Sequence, residues 1–250
     1  MFDRSRMSPD DGMYEHVEDI NRAIADVRSG LKREIKLDNS KVNLTVFVDA
    51  QRYLQAHIRR ALMFLDGGKH ALDGGYSLVA LTCARSIYES AACIYDFCER
   101  FFLLTAAKDF EGAARLTYER SLAIKFDEFR PVMNQLNLKP QSILTYIDRL
   151  SDEVPGARRA YEQLSEAVHP NAFGALLYFE AVDDDGIARY ADNPDVIDTY
   201  GLLVTSASLF SLIRSEMFGF LAAHARMIAD EMQDRIDDYE RRKAAGLTSG

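Results

Sequence analysis

The stretch from Tyr76 to Tyr95, YSLVALTCARSIYESAACIY, limits what this chain can fold into, because its only two charges are Arg85 and Glu89. A segment that apolar reads as a helix enclosed by other helices. Leu78, Leu81, Ala84, Ile87, Tyr88, Ala91 and Ile94 cover most of its circumference, while Thr82, Arg85, Ser86, Glu89, Cys93 and Asp96 form one polar stripe. Arg85 and Glu89 lie four residues apart, one turn along the same face. The order is Arg before Glu, the weaker one against the helix dipole, so local helix stability does not account for the pair. It reads either as an ion pair knitting a bundle or as part of a site, and a buried pair is costly enough to favour the second.

The chain has 250 residues, 48% hydrophobic and 28% charged, which is material for one large domain or two small ones with a substantial core. A net charge of -9 excludes a general polyanion-binding surface and leaves room for a local basic cleft. The N-terminal MFDRSRMSPDDG has no apolar core of signal-peptide length. No run of about 18 uncharged apolar residues spans a membrane, so a cytoplasmic protein without a membrane partner is expected. Cys83, Cys93 and Cys98 all fall on the central helix without a CxxC pair and read as reduced core thiols.

Periodicity predicts the remaining elements. Met13, Val17, Ile20, Ile24, Val27 and Leu31 form the seam of an N-terminal helix over 8–37. Core helices follow over 49–170. The first runs from Asp49 to Asp66 with Thr45 to Val48 as its lead-in, and Gly67-Gly68 is read as its stop. The central helix extends to about Leu104. A shorter helix covers Phe110 to Phe126, and the connection from Arg130-Pro131 to Lys139-Pro140 has room for one helical turn. Gln141-Ser142 opens the next helix, closed by Pro155-Gly156. The helix after that carries Tyr161, Ser165 and His169 at four-residue steps and ends at Pro170.

Alternation over 175–191, with Asp183-Asp184-Asp185-Gly186 between its arms, signals a β-hairpin. The aspartates lack the alternate spacing of a calcium loop and serve to turn the chain. A long amphipathic helix over 194–243 comes last, with Leu221, Ala225, Ile228 and Met232 apolar in its charged half. At 1.5 Å per residue it would span roughly 70 Å, so it must bend, protrude or pair. The seam of the first helix is its natural partner, within the chain or across a dimer. The fold class expected is all-α, a helical bundle with long N- and C-terminal helices and a small β-hairpin insertion, as a single helical domain over 1–250.

His169 sits in the last turn of its helix, where the dipole favours the imidazolium; it reads as an acid–base group or as a C-cap. Glu166 and His169 make one Glu-x-x-His motif, but a carboxylate-bridged dinuclear centre needs two, and no cysteine or histidine pair has zinc spacing. No metal or cofactor is expected. The sequence has no glycine-rich phosphate loop and no Gly-x-Ser-x-Gly elbow.

The apolar helix ARSIYESAACIY with Arg-x-x-x-Glu, followed by Tyr-x-x-x-Ser-x-x-x-His-Pro-Asn at the end of a later helix, resembles the HEPN-like helical proteins of prokaryotes, especially their uncharacterised and abortive-infection-like branches. The motifs span Leu78 to Asn171. The resemblance implies a four-to-five-helix bundle, often dimeric, and a metal-independent RNase of toxin or antiviral systems. The compact Arg…His motif of those families is missing, since Leu164 stands five residues before His169 and Arg159 ten before it. Arg85 would therefore supply the positive charge from a different helix.

On this reading Arg85, Glu89 and His169 are catalytic: Arg85 neutralises a scissile phosphate, Glu89 holds Arg85, and His169 moves protons at the ribose hydroxyl or leaving oxygen. Tyr161, Ser165 and Asn171 bind substrate. RNA is the expected substrate, a homodimer through the long helices the expected assembly, and a further protein is a partner to test. The alternative is a non-catalytic interaction or scaffold module in which Arg85, Glu89 and His169 form a structural polar network.

Overall fold

The computed structural model describes residues 1–35, 42–122, 127–170, 175, 178–190 and 198–244. Among them are eight α-helices and one two-stranded hairpin, an all-α bundle with a small β insertion. The helices are α1 (Val17–Ser29), α2 (Val42–Asp73), α3 (Ser77–Ala106), α4 (Phe110–Leu122), α5 (Arg130–Gln135), α6 (Ile143–Glu153), α7 (Ala157–Val168) and α8 (Thr199–Ala244). The strands β1 (Phe179–Val182) and β2 (Ala188–Tyr190) pair antiparallel.

As the apolar run requires, α3 lies at the centre and packs against α2, α4, α6, α7 and α8. Ile87, Ala91, Phe97 and Phe101 are fully enclosed. Phe101 meets Phe47 of α2 edge-on at 5.0 Å and Phe220 of α8 at 5.6 Å, so aromatic contacts join the three long helices.

Besides α2, which is already helical from Val42 so that Thr45 to Val48 lie inside it rather than leading in to Asp49, two boundaries differ from the periodic reading. The first helix covers Val17–Ser29 rather than 8–37: before it the chain makes single 3₁₀ turns at Arg4–Arg6 and Tyr14–His16, and Gly30 ends it. Ser8-Pro9-Asp10-Asp11-Gly12 forms turns in place of a helical start, with the Asp11 carboxylate accepting the Met13 N–H at 2.7 Å. Phe2 is buried and exchanges backbone hydrogen bonds with the Asn21 amide, which pins the chain start onto α1.

The second difference is at Gly67-Gly68, which lies inside α2 and does not stop it. A Cβ at Gly68 would sit 3.0 Å from Leu203 Cδ1 and 3.1 Å from Cys83 Cβ. The missing side chain lets α3 and α8 close onto α2, and that packing offsets the helix propensity lost at glycine, about 1 kcal/mol per residue. The turn out of α2 comes instead at Gly74-Gly75, where Gly75 takes φ +78°.

The seam partner of α1 is α8 of the same chain. Arg214 Nη1 donates to Asp26 at 3.0 Å, and Met217 packs over Gly30. In the hairpin the Asp183 carboxylate accepts the N–H groups of Asp185 and Ile187, so the aspartates do turn the chain. Beyond Met227, which still leans on the core, the described side chains of α8 are exposed or half-exposed. No helix among the described residues is long and apolar enough to cross a membrane.

Candidate functional site

The polar stripe of α3 draws arginines from α2, α4 and α6 onto its carboxylates. Arg85 and Glu89 keep the one-turn relation their spacing dictates, with Nε 3.3 Å from Glu89 Oε1. That nitrogen is buried and off the line of a hydrogen bond, so the contact is Coulombic. The directional bonds run through α7: Arg85 Nη2 donates to the Tyr161 hydroxyl at 3.2 Å, and that hydroxyl donates to Glu89 Oε1 at 3.2 Å. The guanidinium also lies 5.4 Å from the Tyr161 ring centre. From α2, Arg60 approaches the other oxygen of Glu89 at 3.7 Å. Side chains of Arg85 and Glu89 remain 26% and 21% exposed, so the pair lies at the rim of the packing rather than sealed within it.

Two turns further along α3, about 10 Å at helical rise, Asp96 is buried at 2% exposure. Three guanidiniums converge on it. Arg120 of α4 donates from Nη2 at 2.7 Å, Arg149 of α6 hydrogen-bonds the other oxygen, and Arg100 approaches from the next turn of α3 at 3.3 Å. Arg120 also donates to the Tyr146 hydroxyl of α6. Its side chain is only 8% exposed, whereas Arg100 and Arg149 are 40% and 36% exposed and reach water. Cys93 lies between the two carboxylates, and burial pushes its thiol up to about 12. Burial raises Cys83 and Cys98 as well, and all three cysteines are free. None is a ready thiolate.

The stripe thus gathers five guanidiniums, those of Arg60, Arg85, Arg100, Arg120 and Arg149, around two carboxylates. The local excess of positive charge stands out in a chain of net charge -9. Beside it, between α2 and α4, opens a groove of about 1080 Å³ lined by Tyr53, His57, Tyr118 and Arg120 among others. Burial, then the nearby Arg60, lowers the His57 imidazole to about 4, so it is neutral at physiological pH. The groove shares Arg120 with the Asp96 cluster but is lined by none of Arg85, Glu89 and His169.

Of the residues expected from sequence, Arg85, Glu89 and Tyr161 come together. Ser165, one turn past Tyr161 on α7, has its hydroxyl buried without a hydrogen-bond partner among the described residues. His169 is exposed and ends α7 in an extended conformation, with its N–H donating to the Ser165 carbonyl at 3.0 Å. Eight residues separate it from Tyr161, about 12 Å of helical rise. Asn171 lies outside the described residues. Among the described residues no three His, Cys, Asp or Glu side chains gather in a form that holds a metal.

Periodicity alone did not reveal the cage around Asp96. One signal was present: Asp96 and Arg100 stand at i and i+4 in the favourable order, inside YDFCERFF, whose one other charge is Glu99. Arg120 and Arg149 had no such marker, because their pairing depends on how α4 and α6 dock. Compared with protein-family models, curated proteins and solved structures, the chain matches none.

Proposed function

We propose that this chain is an RNA-binding protein of HEPN-like, toxin or antiviral type, which engages phosphates along the arginine-lined stripe of α3. The observation that carries the reading is the five-to-two excess of guanidiniums over carboxylates, with Arg60, Arg100 and Arg149 each more than a third exposed. Guanidiniums suit phosphate because their fixed fork of donors matches its oxygens. In the catalytic form of the reading, Arg85 neutralises the scissile phosphate and Glu89 and Tyr161 hold Arg85; His169, about 12 Å of helical rise from Tyr161, moves protons at the ribose hydroxyl or leaving oxygen only once that gap is closed. Ser165 and Asn171 orient the substrate. The working form is a homodimer joined through the long helices.

Binding of a single-stranded RNA, followed by fluorescence anisotropy over a salt series, tests this. Affinity is expected to fall with salt, and Arg60→Ala, Arg100→Ala and Arg149→Ala each to flatten the log–log slope by about 0.7. Flat, salt-insensitive anisotropy would sink the reading. Incubation with mixed RNA in chelator tests catalysis separately: cleavage that His169→Ala leaves unchanged removes the histidine from the mechanism.

A second reading, a non-catalytic scaffold, is favoured by one observation. The Tyr161 hydroxyl accepts from Arg85 and donates to Glu89, so it bridges the two charges and ties α7 to α3. This reading expects Arg85→Ala to lower thermal stability and RNA to bind no better than to an unrelated acidic protein.

A further inference from the structure

The distal part of α8 carries an apolar line that the bundle leaves mostly uncovered, with Leu221 half-buried at its near end. Phe218, Leu221, Ala225, Ile228, Met232 and Ile236 fall within about 80° of the helix circumference at 3.6 residues per turn. The line is about 27 Å long at helical rise. Phe218 is 53% exposed, Ile228 39%, Met232 59% and Ile236 48%. Around them the helix is densely charged, with Asp230, Glu231, Asp234, Asp237, Asp238 and Glu240 among the acids and Arg226, Arg241 and Arg242 among the bases. One apolar line on such a helix is the pattern of a seam that another helix covers.

We propose that two copies of this chain pair antiparallel through this line, crossing near Met232, so that Ile228 of each faces Ile236 of the other. This rests on the homodimer reading and narrows it to one element and one orientation. Charge selects the orientation. Residues 221–250 hold six acids and five bases, so -8 of the net -9 belongs to residues 1–220. A parallel pair would set those two acidic bodies side by side and the two Arg241-Arg242-Lys243 runs against each other. An antiparallel pair holds the two acidic bodies at opposite ends and keeps the two basic runs apart. Opposed helix dipoles add to the same preference.

The test is the mass of the full chain in solution by light scattering, with variants that each add one exposed cysteine to the three native thiols of α3 for orientation. The intact chain is expected at twice 28.2 kDa. Met232→Glu is expected to weaken association about tenfold or more with unchanged helical circular dichroism, since Met232 lies outside the core. Under mild oxidation Met232→Cys is expected to cross-link to itself. Ile228→Cys is expected to link only when mixed with Ile236→Cys, because identical 228 positions sit about 12 Å apart along the pair, beyond disulfide reach. A monomer at all concentrations overturns both the homodimer and this arrangement. A dimer indifferent to Met232→Glu places the contact elsewhere, and self-linking of Ile228→Cys alone makes it parallel; both overturn the proposal and spare the homodimer. RNA binding by monomeric Met232→Glu tells the two functional readings apart from the assembly.

Discussion

Asp96→Asn removes one negative charge and almost no volume from the centre of the bundle, and its cost follows from the exposure of the three arginines left behind. Arg100 and Arg149 are 40% and 36% exposed, so each can turn its charge to water, and pairs of that kind are worth at most about 1 kcal/mol. Arg120 cannot follow. Its side chain is 8% exposed, and without the carboxylate its charge keeps, among the described residues, the Tyr146 hydroxyl and ring and the new amide oxygen, all neutral. Breaking a buried pair at one partner costs about 3–5 kcal/mol, and the two neutral acceptors place this case near the lower end, about 3 kcal/mol. For a chain of this length that corresponds to a fall of about 6–12 °C in melting temperature. Thermal unfolding followed by circular dichroism measures it. The decisive control is Arg120→Met on the Asp96→Asn background, which removes the stranded charge and is expected to recover most of the loss. A melting temperature within about 2 °C of the parent, or a second substitution that adds its own loss, would refute the claim that Asp96 neutralises a trapped guanidinium.

Other perturbations follow from the same contacts. Among the described residues, Arg85→Ala leaves Glu89 with the distant Arg60 and the Tyr161 hydroxyl, and a loss of about 1.5–3 kcal/mol is expected in urea unfolding; no loss would show that the triad ties nothing together. Gly67→Ala is expected to raise stability by about 0.5–1 kcal/mol, because its Cβ would meet only Cys83 Sγ at an ordinary 3.6 Å. Gly68→Ala, which runs into Leu203 and Cys83, is expected to lower it, and matching signs for the two would contradict the close approach of α2 to α3 and α8.

Glu216 of α8 is raised to about 7, chiefly by burial, with Glu99 and Glu153 adding to the rise against the Cys98 thiol contact, which lowers it. The folded chain therefore holds a proton that the unfolded chain releases near 4.5, and stability drains away as pH climbs from about 4.5 through 7. Glu216→Gln is expected to raise the melting temperature at pH 8 more than at pH 5, and an equal effect at both would count against a buried, protonated carboxyl.

Most helices were legible because their signals are local. The apolar circumference of 76–95, the Ser142 cap and the Pro170 stop act within a few residues, and the structure places α3, α6 and α7 accordingly. Where local signals compete with packing, the reading failed. Two glycines in a row look like a helix end, yet α2 continues through them because the space they leave is filled by Cys83 and Leu203, residues distant in the chain. Half of the candidate site was visible for the same reason. Arg85 and Glu89 are partners by spacing, whereas Arg60, Arg120 and Arg149 reach their carboxylates only after three other helices dock.

By itself, then, the order of amino acids determined a bundle around one nearly uncharged helix, since the 3.6-residue period and its interruptions act over a turn or two. Which guanidinium meets which carboxylate, whether a glycine pair ends or admits a helix, and which face of the last helix is left bare were decided by tertiary structure. Those outcomes depend on the approach of side chains tens of residues apart, where Coulomb attraction and close packing act through space and leave no periodic trace along the chain.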